Sequence, residues 1–266
     1  DDTILSKKDT VLPTLMLALG CALRFLSMFF ASDIAVGRHD AILTYHLASI
    51  EALKIWKTSA RLDTIKLLSF WTGIVAVSIY AAFEWKLNNI EDVVLFLAFS
   101  FTSHIFMAFV HSMLYICRGL YLGIDSFCAE IVHESNCDHA CEDWNEMQAI
   151  LRRVCITVAH TYMVLLTSSV VAMFLPLLFD DDWVATLPGA LAVLILLWVA
   201  MYLGKVTSKC DRVPVFINTL DFGHNFDSKR QYTVDYIWNS RAGFYMFDVR
   251  VTGEMVAKCS YIGIAV

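Results

Sequence analysis

Apolar residues occur along most of the chain in blocks of about twenty, with polar gaps between them. A block of about twenty apolar residues is what an α-helix needs to cross the hydrocarbon core of a bilayer. Six such blocks predict six membrane-spanning helices. They cover approximately residues 11–31, 65–83, 93–121, 154–179, 183–203 and, in a more polar form, 244–266. The pattern predicts an all-α polytopic membrane protein.

Several polar gaps also have a helical pattern. Apolar and charged residues share the segment 40–64 in a way that predicts an amphipathic cytoplasmic helix. The third block continues as a helix from Asp92 to His133, which at 1.5 Å per residue is about 60 Å and longer than the bilayer core is thick. The fourth block has a helical lead-in from Trp144. These extensions and the segment 205–243 predict a compact cytoplasmic helical anchor bundle.

The predicted elements divide the chain into five segments. Residues 1–122 hold three spans and the amphipathic helix, and residues 123–150 hold the helical extensions with the turn between them. Two further spans occupy residues 151–204. The anchor segment covers residues 205–243, and the last helix covers residues 244–266.

Loop charge predicts the orientation of the spans, because Lys and Arg are retained on the cytoplasmic side. Six crossings then place both termini outside, but the first residues, with Lys7 and Lys8, contain no secretory apolar segment. We therefore expect a further span ahead of residue 1, which gives seven helices, a cytoplasmic amino terminus and an extracellular carboxy terminus. The inside positions are Arg38, Lys54, Lys57, Arg61, Lys66, Arg118, Arg152, Arg153, Lys205, Lys209, Arg212, Lys229 and Arg230.

Composition supports a membrane protein and argues against some classes of function. The 266 residues are 58% hydrophobic and 17% charged, whereas a soluble domain is about 45–50% apolar and about 25% charged. The net charge of −6 and the lack of a basic face argue against a nucleic-acid partner. No catalytic signature occupies a span, so we expect neither an enzyme nor a cofactor.

The last residues of the chain carry a motif. Ser260 and Tyr261 are followed by five apolar residues, Ile262 to Val266. This run resembles the end of the last helix in the insect gustatory and odorant receptor superfamily, whose gustatory branch has Thr-Tyr, five apolar residues and Gln-Phe. Ser260 stands in place of the Thr, and the Gln-Phe pair would follow Val266. The rest of the chain resembles the family in its helix layout.

The resemblance implies an inverted seven-helix subunit of the plasma membrane. Such subunits, identical or related, would assemble as a tetramer around one central cation pore lined by the last helix. The implied function is a chemosensory, ligand-gated nonselective cation channel opened by a small-molecule tastant. A seven-helix receptor coupled to a G protein and a small-molecule transporter are the alternatives.

The last helix is also unusual without the resemblance, because it is too polar to face lipid on all sides. Ala257, Tyr261 and Ile264 lie at helical spacing on one narrow, mostly apolar face that suits a hydrophobic constriction. In the resemblance, Ile264 falls at the apolar gate of the related coreceptor, and Ser260 belongs to the motif. An ordinary packing helix is the alternative for these four residues.

The predicted orientation places a set of aromatic and polar side chains in the outer half of the membrane. In the related family the ligand pocket lies among the corresponding helices, so these residues are candidates for binding the tastant. Packing within the core or anchoring at the membrane interface is the alternative for each of them. The candidates are Tyr80, Phe83, Phe99, Phe101, Ser103, His104 and Trp183.

A cysteine and histidine cluster lies in the predicted cytoplasmic turn. Its residue types suit zinc, but the cluster lacks a Cys-x-x-Cys pair. Reduced thiols that bind no metal are therefore expected, and the zinc site is a weak candidate. The residues are Cys128, His133, Cys137, His139 and Cys141.

Overall fold

A computed structural model of the chain describes residues 50–84, 90–134, 137, 139–179, 186–220 and 228–265. These residues form six helices and one short hairpin. The first predicted span, residues 11–31, and the start of the amphipathic helix lie outside the described residues. In chain order the elements are α1 (Ile50–Glu84), α2 (Ile90–Glu134), α3 (Ala140–Phe179), α4 (Leu187–Thr219), α5 (Ser228–Ser240), β1 (Tyr245–Met246), β2 (Val249–Arg250) and α6 (Gly253–Ala265).

Three helices of the described part are long and apolar enough to cross a membrane. They are the stretches 97–133 of α2, 140–174 of α3 and 187–219 of α4. The helical run predicted from Asp92 to His133 lies within the 45 residues of α2. An apolar helix of this length satisfies all its backbone hydrogen bonds internally, as the bilayer requires. The mostly helical chain and its apolar helices support a membrane location.

Two pairs of segments that differ in composition are continuous helices in the structure. The amphipathic segment and the second predicted span form one uninterrupted helix, α1, from Ile50 onward. The fifth predicted span likewise runs on into the anchor segment, because α4 continues through Pro214 to Thr219. The change from polar to apolar composition marks a change of surroundings, but it does not break the backbone hydrogen bonding of a helix.

The prediction of one helix over residues 244–266 is wrong in its first part. Residues 245–250 form an antiparallel hairpin in which Tyr245 pairs with Arg250. Its two turn residues, Phe247 and Asp248, have positive φ angles of 46° and 64°, the backbone geometry of a tight two-residue hairpin turn. The helix α6 starts only at Gly253 and has 13 described residues.

The described chain forms two compact units. The first contains residues 61–113 and 160–198, and the second contains residues 50–60, 114–159 and 199–265. Each unit has its own buried apolar side chains, such as Leu165 and Leu196 in the first and Phe127 and Phe244 in the second. The boundaries fall inside helices, so α1, α2, α3 and α4 each contribute residues to both units.

Two tryptophan side chains connect helices within the second unit. The Trp144 ring lies 5.1 Å from the Phe127 ring, measured between centroids, and its Nε1 donates a hydrogen bond to Ser240 Oγ at 3.0 Å. Trp56 stacks on Tyr115 and donates to that residue's carbonyl oxygen at 3.0 Å. These contacts join α1, α2, α3 and α5, and they include the segments predicted from the sequence to pack as a bundle.

Candidate functional site

A small cavity lies in the first unit, between α2 and α4. Its volume is about 30 Å³, and one water needs roughly 10–15 Å³ by the same measure. The cavity therefore admits about two or three waters, and the helices must separate before a sugar or a larger tastant fits. The lining residues are Phe99, Thr102, Ser103, Phe106, Met107, Pro188, Ala192 and Ile195.

A tryptophan of α1 forms a hydrogen bond with the serine that lines this cavity. Trp71 Nε1 donates to Ser103 Oγ at 3.1 Å, and Ser103 Oγ in turn donates to the Ser100 carbonyl oxygen at 2.9 Å. The Trp71 ring also meets the His104 ring edge-on, with 5.3 Å between centroids. The walls are otherwise mainly apolar, so the chemistry suits a small, weakly polar molecule held by one or two hydroxyl contacts.

Only some of the seven residues predicted to bind the ligand lie at this cavity. Phe99 and Ser103 line the cavity, and His104 packs beside it against Trp71. Phe101 is 69% exposed and does not line the cavity, because its position on α2 faces outward. Tyr80 and Phe83 lie in α1 with side chains outside the described ones, and Trp183 is outside the described residues.

Several cavity residues were not predicted. Thr102, Phe106 and Met107 follow Phe99 at steps of three or four residues, so helical periodicity would have found them once Phe99 was chosen. Pro188 and Ala192 come from α4, and the sequence carries no signal that pairs this stretch of α4 with α2. Only the packing reveals them.

The start of α6 is fixed to α4 by a junction within the second unit. The Phe244 backbone N–H donates to Thr207 Oγ1 at 2.9 Å, and Arg250 Nη2 donates to Asp211 Oδ1 at 2.5 Å. A Cβ at Gly204 would lie 3.0 Å from the backbone of Gly253. The start of α6 therefore lies so close to α4 that a side chain at position 204 would push the two backbones apart by a few tenths of an ångström.

The helix α6 itself is little covered. Among its described side chains only Val256 is buried, whereas Ala257 is exposed and Tyr261 is 75% exposed. Glu254 and Lys258 form an exposed ion pair at 2.6 Å one turn apart. The backbone of Ser260 and Ile264 lies in α6, and their side chains fall outside the described ones. Helical spacing puts Ala257, Tyr261 and Ile264 on one face.

The cysteine and histidine residues do not assemble a metal site in the structure. Within the described part of the chain, no three possible metal ligands lie close enough together to hold an ion. His139 pairs instead with Glu142 at 3.6 Å, and Cys141 Sγ lies 3.8 Å from Thr233 Oγ1. Cys137 is buried, and Cys128 is half-buried. His133, at the end of α2, is exposed.

Comparison of the chain with models of known protein families and with curated proteins finds no match. The gustatory receptor resemblance of residues 260–266 therefore stays a hypothesis from the sequence.

Proposed function

We propose that the chain is a subunit of a ligand-gated nonselective cation channel of the gustatory receptor type. The observation that carries this proposal is the exposure of α6, whose described side chains are uncovered except for Val256 although the helix bears an ion pair. Lipid is a poor environment for charged groups. Four copies of α6 around one axis would shield its charged side chains from lipid, and the face of Ala257, Tyr261 and Ile264 would line the pore.

The same proposal assigns roles to the rest of the molecule. The protein lies in the plasma membrane with its amino terminus in the cytoplasm and its carboxy terminus outside, and the anchor segments 123–150 and 205–243 lie in the cytoplasm. The cavity between α2 and α4 receives a small-molecule tastant, and the tastant opens the pore by binding the open state more tightly than the closed state. The close junction at Gly204 and Gly253 makes α4 the element that moves α6.

Counting the subunits tests the assembly directly. The full-length protein is purified in detergent, and its native mass and single-particle symmetry are measured. A four-fold particle is expected. A monomer or a dimer would leave α6 no central pore to line, and would favour the G-protein-coupled receptor or the transporter instead.

Ile264→Ala is expected to raise the basal current about threefold, which corresponds to less than 1 kcal/mol in the free energy of the gate. A ring of large apolar side chains resists hydration, and alanine widens the constriction. The measurement is the current without tastant, normalised to surface protein. Cys259→Ala is the control, because Cys259 lies on the opposite side of α6. Equal leak in both variants and the unmodified protein would remove Ile264 from the gate.

Ser103→Ala is expected to raise the half-maximal tastant concentration about fivefold, the effect of one lost hydrogen bond of about 1 kcal/mol. The substitution removes the cavity hydroxyl that accepts from Trp71. The dose response is measured with whichever sugar or bitter compound of a test panel gives the largest current. Ser112→Ala, an exposed position on the same helix, should leave it unchanged. An unchanged response in Ser103→Ala would move the pocket elsewhere.

A further inference from the structure

Three cations and two tyrosines of α2 and α4 pack together in the second unit. Arg118 Nη2 donates to the Tyr202 hydroxyl oxygen at 3.1 Å, and its guanidinium carbon lies 5.2 Å from the centre of that ring. Lys205 Nζ lies 4.6 Å from the same ring centre. Lys209 Nζ lies 4.7 Å from the Tyr121 ring centre. We call Arg118, Tyr121, Tyr202, Lys205 and Lys209 the basic cluster.

The basic cluster concentrates positive charge. The Arg118 and Lys205 charges are within about 10 Å of each other, because both lie over one ring. Lys205 and Lys209 are one helical turn apart, a spacing at which like charges repel. Asp125 forms an ion pair with Lys209. Asp125 balances one of the three cations, so positive charge predominates among the described side chains of the cluster, and an anion bound among them would relieve the repulsion.

The cluster sits where two apolar helices become polar. Arg118 is the first Lys or Arg of α2, and Lys205 is the first of α4. The apolar runs that precede them belong to helices long enough to cross a membrane. Tyrosines are enriched at the membrane interface, where the ring meets the lipid headgroups. The basic cluster therefore lies at the level of lipid phosphates in a membrane-embedded chain.

Two of the cations are already held in place. Tyr202 accepts the hydrogen bond of Arg118, and Asp125 fixes Lys209, whose side chain is only 23% exposed. Lys205 is exposed, and its ammonium group, which lies over the Tyr202 ring, is accessible to a ligand from the surface. A guanidinium offers a planar fork of donors to phosphate oxygens, and an ammonium adds a point charge. The arrangement matches a phosphate monoanion or dianion at the end of an apolar tail.

We propose that the basic cluster binds the phosphate group of an anionic phospholipid. By the positive-inside rule this end of the helices faces the cytoplasmic leaflet, which carries the anionic lipids. The site requires that the chain spans a membrane with this end of α2 and α4 in the cytoplasmic leaflet, and it is independent of whether the protein conducts ions.

The test uses the full-length protein in detergent micelles supplied with equal amounts of phosphatidylcholine and phosphatidylserine. Native mass spectrometry measures the ratio of the two lipids that stay bound. The unmodified protein should retain phosphatidylserine preferentially. Lys205→Gln should lower that preference about fivefold, and Lys205→Gln with Lys209→Gln about thirtyfold, as expected for one and two charges at an anionic membrane surface.

A matched control removes two positive charges from the second unit at positions outside the basic cluster. Arg152 and Arg153 are exposed residues of α3 in the same unit, and replacing both with Gln should change the preference less than about twofold, since neither belongs to the site. Lys205→Arg keeps the charge and should retain the preference, which separates a lost site from a damaged fold.

Three results would overturn the proposal. An equal loss in both double variants would mean diffuse attraction to the membrane surface. No preference for phosphatidylserine in the unmodified protein would mean no site. Complete displacement of phosphatidylserine by inorganic phosphate would mean that the cluster binds a soluble anion and not a lipid.

Discussion

Trp144→Ala should lower the free energy of unfolding of the second unit by about 3–5 kcal/mol, the cost of truncating a fully buried tryptophan. Trp144 is 1% exposed, and it contacts Phe127 of α2 while bonding Ser240 at the end of α5. Alanine leaves a cavity at the point where three helices meet and removes the donor that Ser240 accepts from. Thermal unfolding of the purified protein in detergent, followed by circular dichroism, measures the loss.

Two further substitutions test whether the loss of stability comes from the burial of Trp144 or would follow from removing any tryptophan of the second unit. Trp238 belongs to the same unit but is 64% exposed, so Trp238→Ala should cost less than about 1 kcal/mol. Trp144→Phe keeps most of the buried ring and loses mainly the hydrogen bond, which predicts a loss of about 1–2 kcal/mol. Similar losses for Trp144→Ala and Trp238→Ala would contradict the packing described for the second unit.

Gly189→Ala is expected to destabilise the first unit by about 1–3 kcal/mol, as overpacking does. A Cβ on Gly189 would lie 2.5 Å from the backbone nitrogen of Met173 and 2.6 Å from its Cα. Both atoms belong to the backbone of α3, so no side-chain rotation relieves the clash and the helices must move apart. The neighbouring residues Pro188 and Ala192 line the cavity, so the same change should also alter the tastant dose response.

Gly73→Ala is the matched control, and it should change stability in the opposite direction. Gly73 lies inside α1, and a Cβ there would meet no atom within 4 Å. Alanine is better than glycine inside a helix by about 0.5–1 kcal/mol. Both variants are compared by thermal unfolding in the same detergent. Stabilisation by Gly189→Ala would mean that α3 and α4 do not approach as closely as the structure describes.

The candidate site was partly predictable from the sequence. The predicted orientation, together with the pocket position that the family resemblance implies, selected Phe99 and Ser103, which line the cavity. The same reasoning selected Phe101, which is exposed, because orientation in the membrane fixes the depth of a residue but not the side of the helix on which it lies. The α4 half of the cavity required knowledge of which helices pack together, and one sequence contains no such pairing information.

The hairpin before α6 could not be predicted from the sequence for a different reason. Residues 244–252 are apolar enough to extend a span, and their pattern predicts helix with no glycine pair or proline at the turn to stop it. The hairpin forms because α4 offers Thr207 and Asp211 as partners for Phe244 and Arg250. These bonds join residues 37 and 39 positions apart, so local propensity does not contain them.

The sequence by itself determined the membrane class of the protein and the existence of its long helices. Both follow from local properties: the length of an apolar block decides whether a helix can cross a bilayer, and helical periodicity is set by neighbouring residues. Tertiary structure alone decided where helices continue or turn, which faces meet, and that Arg118 and Lys205 converge on Tyr202. Such contacts depend on the packing of residues far apart in the chain. They are set by shape and charge in three dimensions, which no local pattern specifies.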